Sequence, residues 1–251
     1  METKLSIVIP AYNEAFRIGR TLDRISDYMK GRDSLYEVIV VDDGSNDHTV
    51  RVVWEFMEKD PAISLLQNGV NRGKGYSVRR GVLHSRGRFV LMSDADLSTP
   101  IEEIEKLYKE MDEGYDISIG SRAMSESVIL KRQPWYRQLM GKTFNKFAQG
   151  IAIKGISDTQ CGFKLFNGDA ARVVFSRQRI DRFAFDVEAL YLAKRMGFSI
   201  REVPVVWINS PDSKVRIFRD SLQMLKDIVK IRYYHYRPVR ALNPLYSPKE
   251  V

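Results

Sequence analysis

The sequence predicts an α/β fold of the Rossmann kind, a mostly parallel central sheet with helices on both faces. Three observations carry this. Strand-like and helix-like runs alternate through the first half of the chain, the strand runs are apolar at nearly every position (Val38-Ile39-Val40-Val41), and polar residues collect where those runs stop. Alternation indicates parallel strands joined by crossover helices. Uninterrupted apolar strands are what burial on both faces requires.

Taken in order, strands are expected at residues 5–10, 37–42, 63–66, 88–93 and 117–120, with helices at 14–29, 47–58, 75–85 and 101–111 between them. Ligands of open α/β sheets bind beyond the carboxyl ends of the strands. Those ends read Pro10-Ala11-Tyr12-Asn13-Glu14, Asp42-Asp43-Gly44-Ser45, Ser93-Asp94-Ala95-Asp96 and Gly120-Ser121-Arg122. After Arg122 the rhythm changes, and two amphipathic helices are expected. In 134–151, Tyr136, Leu139, Met140, Phe144, Phe147 and Ile151 share a face. In 215–236, Arg219, Lys226, Lys230 and Arg237 line up beside an apolar stripe of Phe218, Leu222, Leu225 and Val229. Each reads either as a surface helix packed on the core or as an interfacial helix whose basic residues meet anionic headgroups. We expect one domain over 1–237, a ligand-binding half (1–122) followed by a half facing a second substrate (123–237). Residues 238–251, with three prolines, are expected to form a loose tail.

The composition, 44% hydrophobic and 29% charged, fits a soluble globular chain with a real core. One cysteine, Cys161, excludes an internal disulfide and suits a reducing compartment. The first strand begins almost at the N-terminus, so no leader is expected. No apolar run reaches the roughly 18 residues of a membrane span. The net charge of +8 favours polyanionic partners: nucleic acid, phosphorylated metabolites or an anionic membrane. Zinc spacings, recognition helices and RNA-binding aromatic motifs are missing, so nucleic acid is not the expected partner.

Asp94 and Asp96 follow an apolar strand, and side chains at i and i+2 of an extended chain point the same way. Two carboxylates aimed at one point call for a positive group there. A helix cap or turn explains one aspartate better than two. A hard divalent cation, Mg²⁺ or Mn²⁺, takes such oxygen ligands and bridges to substrate phosphates. Asp42-Asp43-Gly44-Ser45 reads either as a turn with helix caps or as acceptors for ribose and base. In Asn71-Arg72-Gly73-Lys74-Gly75 the glycines permit close backbone approach and the cations offset phosphate charge. It lacks the Walker spacing, and no Gly-x-Gly-x-x-Gly follows the first strand.

Together these motifs resemble family 2 glycosyltransferases of the GT-A fold. Gly120-Ser121-Arg122, the string from Asp158 to Phe166 (Asp158-Thr159-Gln160-Cys161-Gly162-Phe163-Lys164-Leu165-Phe166) and Phe185-Asp186-Val187-Glu188 are similar to the branch of dolichyl-phosphate β-glucosyltransferases and their prokaryotic polyprenyl-phosphate relatives. The similarity runs from about residue 4 to 230. It implies an inverting hexosyltransferase that moves glucose from UDP-glucose to a polyprenyl (dolichyl or undecaprenyl) phosphate at the cytoplasmic membrane face. By the same resemblance Asp42 and Asp43 belong to the nucleoside pocket, with Pro10, Tyr12, Glu14, Gly73 and Lys74 nearby. Asp94, Ala95 and Asp96 handle ribose and metal, with Asp96 the principal ligand. Members of this family carry membrane helices that this sequence lacks, so reversible peripheral docking is expected. Mannosyl-type relatives place a Gln where Ser98 stands, which implies a wetter metal shell.

A phosphate monoester is mostly dianionic at pH 7, so the acceptor needs no strong base. It needs positive charge and in-line geometry. Arg122, Arg132, Arg137 and Lys214 are the candidates, Arg137 because it lies on an apolar helix stripe and either snorkels to solvent or reaches a phosphate. Asp158 is a candidate to orient the acceptor or a cation. Asp186 and Glu188 read as helix-start residues, or as partners of a sugar or a basic side chain. GDP-mannose as donor, and a non-catalytic sugar-nucleotide or lipid-phosphate binding protein, are the alternatives. The oligomeric state is not expected from sequence.

Overall fold

The structure is a computed structural model and describes residues 3–32, 35–131, 134–151, 153–210 and 217–236; the side chains of 135–139, 142 and 217–221 lie outside that description. The first half alternates as expected, each boundary falling within two residues. Its elements are β1 (Leu5–Ala11), α1 (Ala15–Met29), β2 (Tyr36–Asp42), α2 (Thr49–Met57), β3 (Ile63–Gln67), α3 (Lys74–His84), β4 (Phe89–Met92), a 3₁₀ turn (Ile101–Glu103), α4 (Ile104–Asp112) and β5 (Ile117–Ser121). The second half adds β6 (Val128–Lys131), α5 (Trp135–Ile151), β7 (Lys164–Asn167), α6 (Gly168–Arg177), α7 (Phe185–Arg195), β8 (Ile200–Pro204), β9 (Val206–Ile208) and α8 (Ile217–Tyr234).

Seven strands form one sheet in the order β3-β2-β1-β4-β7-β5-β8, while β6 and β9 make a separate parallel ribbon. Within the large sheet only β7 runs antiparallel, between β4 and β5. Because β2 and β3 lie on one side of β1 and β4 on the other, strand order reverses between β1 and β4. That is the crevice where open α/β sheets take ligands. Along β1 the side chains alternate between two cores. Ile7 and Ile9 join Ile18, Leu22 and Leu107 on one face, and Val8 joins Val78, Val82 and Val90 on the other.

The two amphipathic helices form, but their buried faces differ from the expected stripes. On α5, Phe144 and Ala148 are buried, whereas Phe147 faces outward. On α8, Met224, Ile228 and Ile231 enter the core, whereas Leu222 and Val229 are exposed. The reason is that α8 carries apolar residues on two faces, and the more continuous one (224, 228, 231) packs. Leu222, Lys226, Val229 and Tyr233 then share an outward arc of about 60°. Among the described residues no helix is long and apolar enough to cross a membrane.

Candidate active site

The chain leaves β4 at Met92 and turns at once. Leu97 N–H donates to Asp94 O at 3.2 Å, and Leu97 takes a left-handed φ of 44°. The period-two expectation for the carboxylates therefore does not hold, because residues 94–97 form a turn rather than extended strand. Asp94 and Asp96 share the corner yet meet different cations. Lys74 Nζ lies 2.6 Å from Asp94 Oδ1, and Arg17 Nη1 lies 3.9 Å from Asp96 Oδ2. The sequence reading asked for a positive group; the fold brings two.

Asp94 is confined. A Cβ on Gly162 would sit 2.1 Å from its Oδ2, so glycine is what lets the 158–163 segment pass this close. Asp96 is looser. Its Oδ1 accepts from Ser98 N–H at 3.0 Å, and Ser98 O accepts from Ile208 N–H of β9. Burial, then the charge of Asp94, raises the Asp96 carboxyl above its ordinary range. Burial alone would lower the Lys74 ammonium, but Asp94, Asp186 and Asp96 outweigh it and hold it raised. Ala95 is buried, its carbonyl accepting from Thr21 Oγ1 at 2.7 Å.

The β2 tip is built around two buried carboxylates. Asp42 accepts from Gly44 and Ser45 N–H, closing the turn. Asp43 accepts from Asn68 Nδ2, Arg72 N–H and Gly73 N–H at 2.8–2.9 Å, which ties β2 to the loop before α3. Gly73 has φ 108°, and a Cβ there would lie 2.3 Å from Asp181 O. Lys74 thus starts α3 on a fixed backbone. Pro10, Asp94 and Lys74 line one small cavity with Asp186. Glu14 engages Arg17 in a two-pronged pair, Nε to Oε2 at 2.6 Å and Nη2 to Oε1 at 2.7 Å. Tyr12 is half-buried in the turn after β1.

On the other side of the crevice Arg122 and Asp158 are bound to each other. Asp158 accepts from Arg122 N–H at 2.9 Å, Nε at 2.6 Å and Nη2 at 2.7 Å, and Trp207 lies under the guanidinium at 5.5 Å. Burial would raise the Asp158 carboxyl, but the Arg122 charge and its bonds bring it below the ordinary range. Because the folded value is the lower one, Asp158 stabilises the fold above about pH 3.9 and that stability is lost as pH falls through the folded value. Asp158→Asn is therefore expected to cost about 3 kcal/mol at pH 7. In urea melts over a descending pH series the gap to wild type should stay near its full size down to about pH 4 and narrow as pH falls through the lowered folded value.

Asp186 forms a buried ion pair with Lys164 Nζ at 2.6 Å, and the same ammonium donates to Cys161 O. Glu188 receives Arg179 and Ile180 N–H and His235 Nε2, holding the 179–180 segment and the end of α8. Sequence reasoning missed Arg17, whose signal was its place one turn after Glu14, and quoted Lys164 within the Asp158–Phe166 string without giving it a partner. Arg132 and Lys214 lie outside the described residues. Arg137 belongs to α5 with its side chain outside the description; so do the side chains of Phe218 and Arg219, and Arg237 entirely.

Among the described residues no three His, Cys, Asp or Glu side chains converge into a metal cage. Two carboxylates already facing cations do fit a divalent ion that completes its shell with substrate phosphate and water. A mostly parallel sheet covered on both faces, with a carboxylate pair at its switch point, has the form of GT-A nucleotide-sugar enzymes. The profile of Glycosyl transferase family 2 matches residues 6–175. A dolichyl-phosphate beta-glucosyltransferase of Dictyostelium discoideum is 42% identical over 241 residues, spanning 91% of this chain and 74% of that one. The Homo sapiens protein of that name is 38% identical over 242 residues, with 91% and 75% covered. Among solved structures, glucosyl-3-phosphoglycerate synthase from Mycobacterium tuberculosis, in complex with Mn²⁺, UDP and glucosyl-3-phosphoglycerate, superposes with a TM-score of 0.63 at 18% identity, covering 95% of this chain and 82% of that one. The chain belongs to glycosyltransferase family 2 and is a glycosyltransferase, which sets aside the non-catalytic alternative.

Proposed function

We propose that the protein transfers glucose from UDP-glucose to the phosphate of a polyprenyl lipid, dolichyl or undecaprenyl phosphate, inverting the anomeric carbon at the cytoplasmic face of a membrane. The observation that carries this reading is the Asp94–Asp96 corner at the β1/β4 switch point, with Lys74 and Arg17 against its carboxylates. The acceptor class is supported by relatives whose names specify dolichyl phosphate and glucose.

In this reading the half up to Arg122 holds the nucleotide and the rest faces the acceptor. Asp42 and Asp43 shape the β2 tip so that Tyr12, Glu14 and the 71–74 loop border the nucleoside. Asp94 and Asp96 hold Mg²⁺ or Mn²⁺, which when bound supplies charge to offset the departing diphosphate. Lys74 adds a monovalent charge beside it. The acceptor phosphate, dianionic at neutral pH, attacks the anomeric carbon as the bond to UDP breaks. No side chain has to remove a proton. Asp158 fixes the Arg122 fork at the end of β5 and so positions a charge rather than receiving one. Arg132, Arg137 and Lys214 remain proposals for the acceptor phosphate.

The outward arc of α8 supports peripheral docking, since exposed Leu222, Val229 and Tyr233 combine with Lys226 as interfacial helices do, with exposed Tyr236 just beyond the helix. Lys226→Glu with Lys230→Glu is expected to weaken sedimentation with vesicles containing phosphatidylserine, at about 1 kcal/mol for each basic residue lost. Unchanged sedimentation would move the membrane contact elsewhere.

The deciding experiment is release of nucleoside diphosphate from UDP-glucose, UDP-galactose, UDP-N-acetylglucosamine and GDP-mannose, each with and without Mn²⁺ and with and without polyprenyl phosphate. UDP-glucose turnover that needs both additions is expected. Turnover of GDP-mannose instead would overturn the donor, and turnover indifferent to polyprenyl phosphate would overturn the acceptor.

A further inference from the structure

The Lys74 ammonium is already bound to one oxygen of a carboxylate that the reading above assigns to a divalent ion. It sits 2.6 Å from Oδ1, while the backbone at Gly162 closes the Oδ2 side. The Asp94 carboxylate keeps 37% exposure, so a second cation can approach it, but that cation has to compete with the ammonium already on Oδ1. Asp96 has no competitor this close, since its Oδ2 is 3.9 Å from the Arg17 guanidinium.

Lys74 is also placed to leave. Its backbone is pinned, because Asp43 holds Arg72 and Gly73 N–H, and a Cβ on the next residue, Gly75, would lie 2.5 Å from Ile180 O. Its side chain keeps 26% exposure, with the ammonium 5.8 Å from the centroid of the Phe185 ring. A second carboxylate, Asp186, lines the same cavity, although it already faces the Lys164 ammonium at 2.6 Å. An ammonium that moves off Asp94 therefore keeps a shared carboxylate near it. A nucleotide diphosphate in the crevice would offer it a stronger partner.

We propose that Lys74 is a tethered counter-ion that holds Asp94 against metal until a nucleotide diphosphate draws it away, so that metal and nucleotide bind with positive coupling through this one side chain. This rests on the reading that Asp94 and Asp96 hold the cation. Coupling of this kind is reciprocal, so nucleotide tightens metal by the factor by which metal tightens nucleotide. A bare divalent ion has to expel a charge before it gains one, whereas the pair exchanges partners.

The test is Mn²⁺ binding followed by electron paramagnetic resonance, with and without UDP, in the absence of acceptor so that no turnover occurs. Wild type should bind Mn²⁺ weakly alone and at least about fivefold more tightly with UDP. Lys74→Met should bind Mn²⁺ alone several-fold more tightly than wild type, and UDP should then add little. Lys74→Arg, which retains the charge, should keep the low affinity of wild type; it also serves if the methionine variant fails to fold, since tight metal binding by Lys74→Arg would overturn the proposal. Equal Mn²⁺ affinity of wild type and Lys74→Met would overturn it as well. The underlying reading fails separately. If Asp96→Asn and Asp94→Asn leave Mn²⁺ binding unchanged, the metal is not held at this corner and both fall.

Discussion

Asp186→Asn should lower stability by about 3–5 kcal/mol, the cost of leaving one member of a buried ion pair without its partner. Lys164 is fully buried on β7, and beyond Asp186 its ammonium has the Cys161 carbonyl as its acceptor. Asparagine keeps the shape of the side chain and removes the charge, so the loss reports electrostatics rather than a cavity. At roughly 2–4 °C per kcal/mol for a chain of this size, the melting temperature should fall by about 10 °C. Lys164→Met combined with Asp186→Leu removes both charges, and buried pairs replaced by apolar residues are often neutral. The double variant should therefore recover most of the loss. A double variant as unstable as the single one would mean that packing at β7, not the pair, decides stability there.

That pair also marks where the sequence stops being legible. The parallel strands could be read because burial on both faces leaves continuous apolar runs bounded by polar tips, as at Tyr36–Asp42. β7 could not, because Lys-Leu-Phe-Asn is not an apolar run; its lysine is buried only because Asp186 arrives from 22 positions away. β8, at the sheet edge, carries Arg201 and Glu202 and reads as polar.

The candidate site divides in the same way. Asp94 and Asp96 were visible as residue types at a strand end, and Lys74 in the glycine loop of 71–75. Their pairing was not, since the left-handed turn at Leu97 redirects the carboxylates and no local pattern announces it. Asp43 had two readings, and its donors come from residues 68–73, a connection set by tertiary packing. Arg122 and Asp158 read from sequence as separate actors, and the fold makes them one unit.

Asp96→Asn should separate function from stability more sharply than any other substitution in this chain. Turnover should fall by at least about 10²–10³-fold, the scale seen when one preorganised charge-stabilising contact is removed from a transition state. Stability should not fall with it. The folded state raises the Asp96 carboxyl, through burial and then through the charge of Asp94. A carboxyl whose folded value is raised contributes stability that is present below its unfolded value and lost as pH rises through the folded one. At pH 7 the ionised group is therefore a burden to the metal-free fold, and a neutral isostere relieves it. Asparagine can still accept the Ser98 N–H bond, so the turn is kept. The melting temperature of the metal-free variant should equal or exceed that of wild type, while kcat collapses. Retained turnover would place the glycosyl-transfer chemistry away from this corner. A melting temperature that fell together with kcat would make Asp96 a structural residue of the turn, because a group kept for its charge toward a substrate is the kind whose removal a fold tolerates.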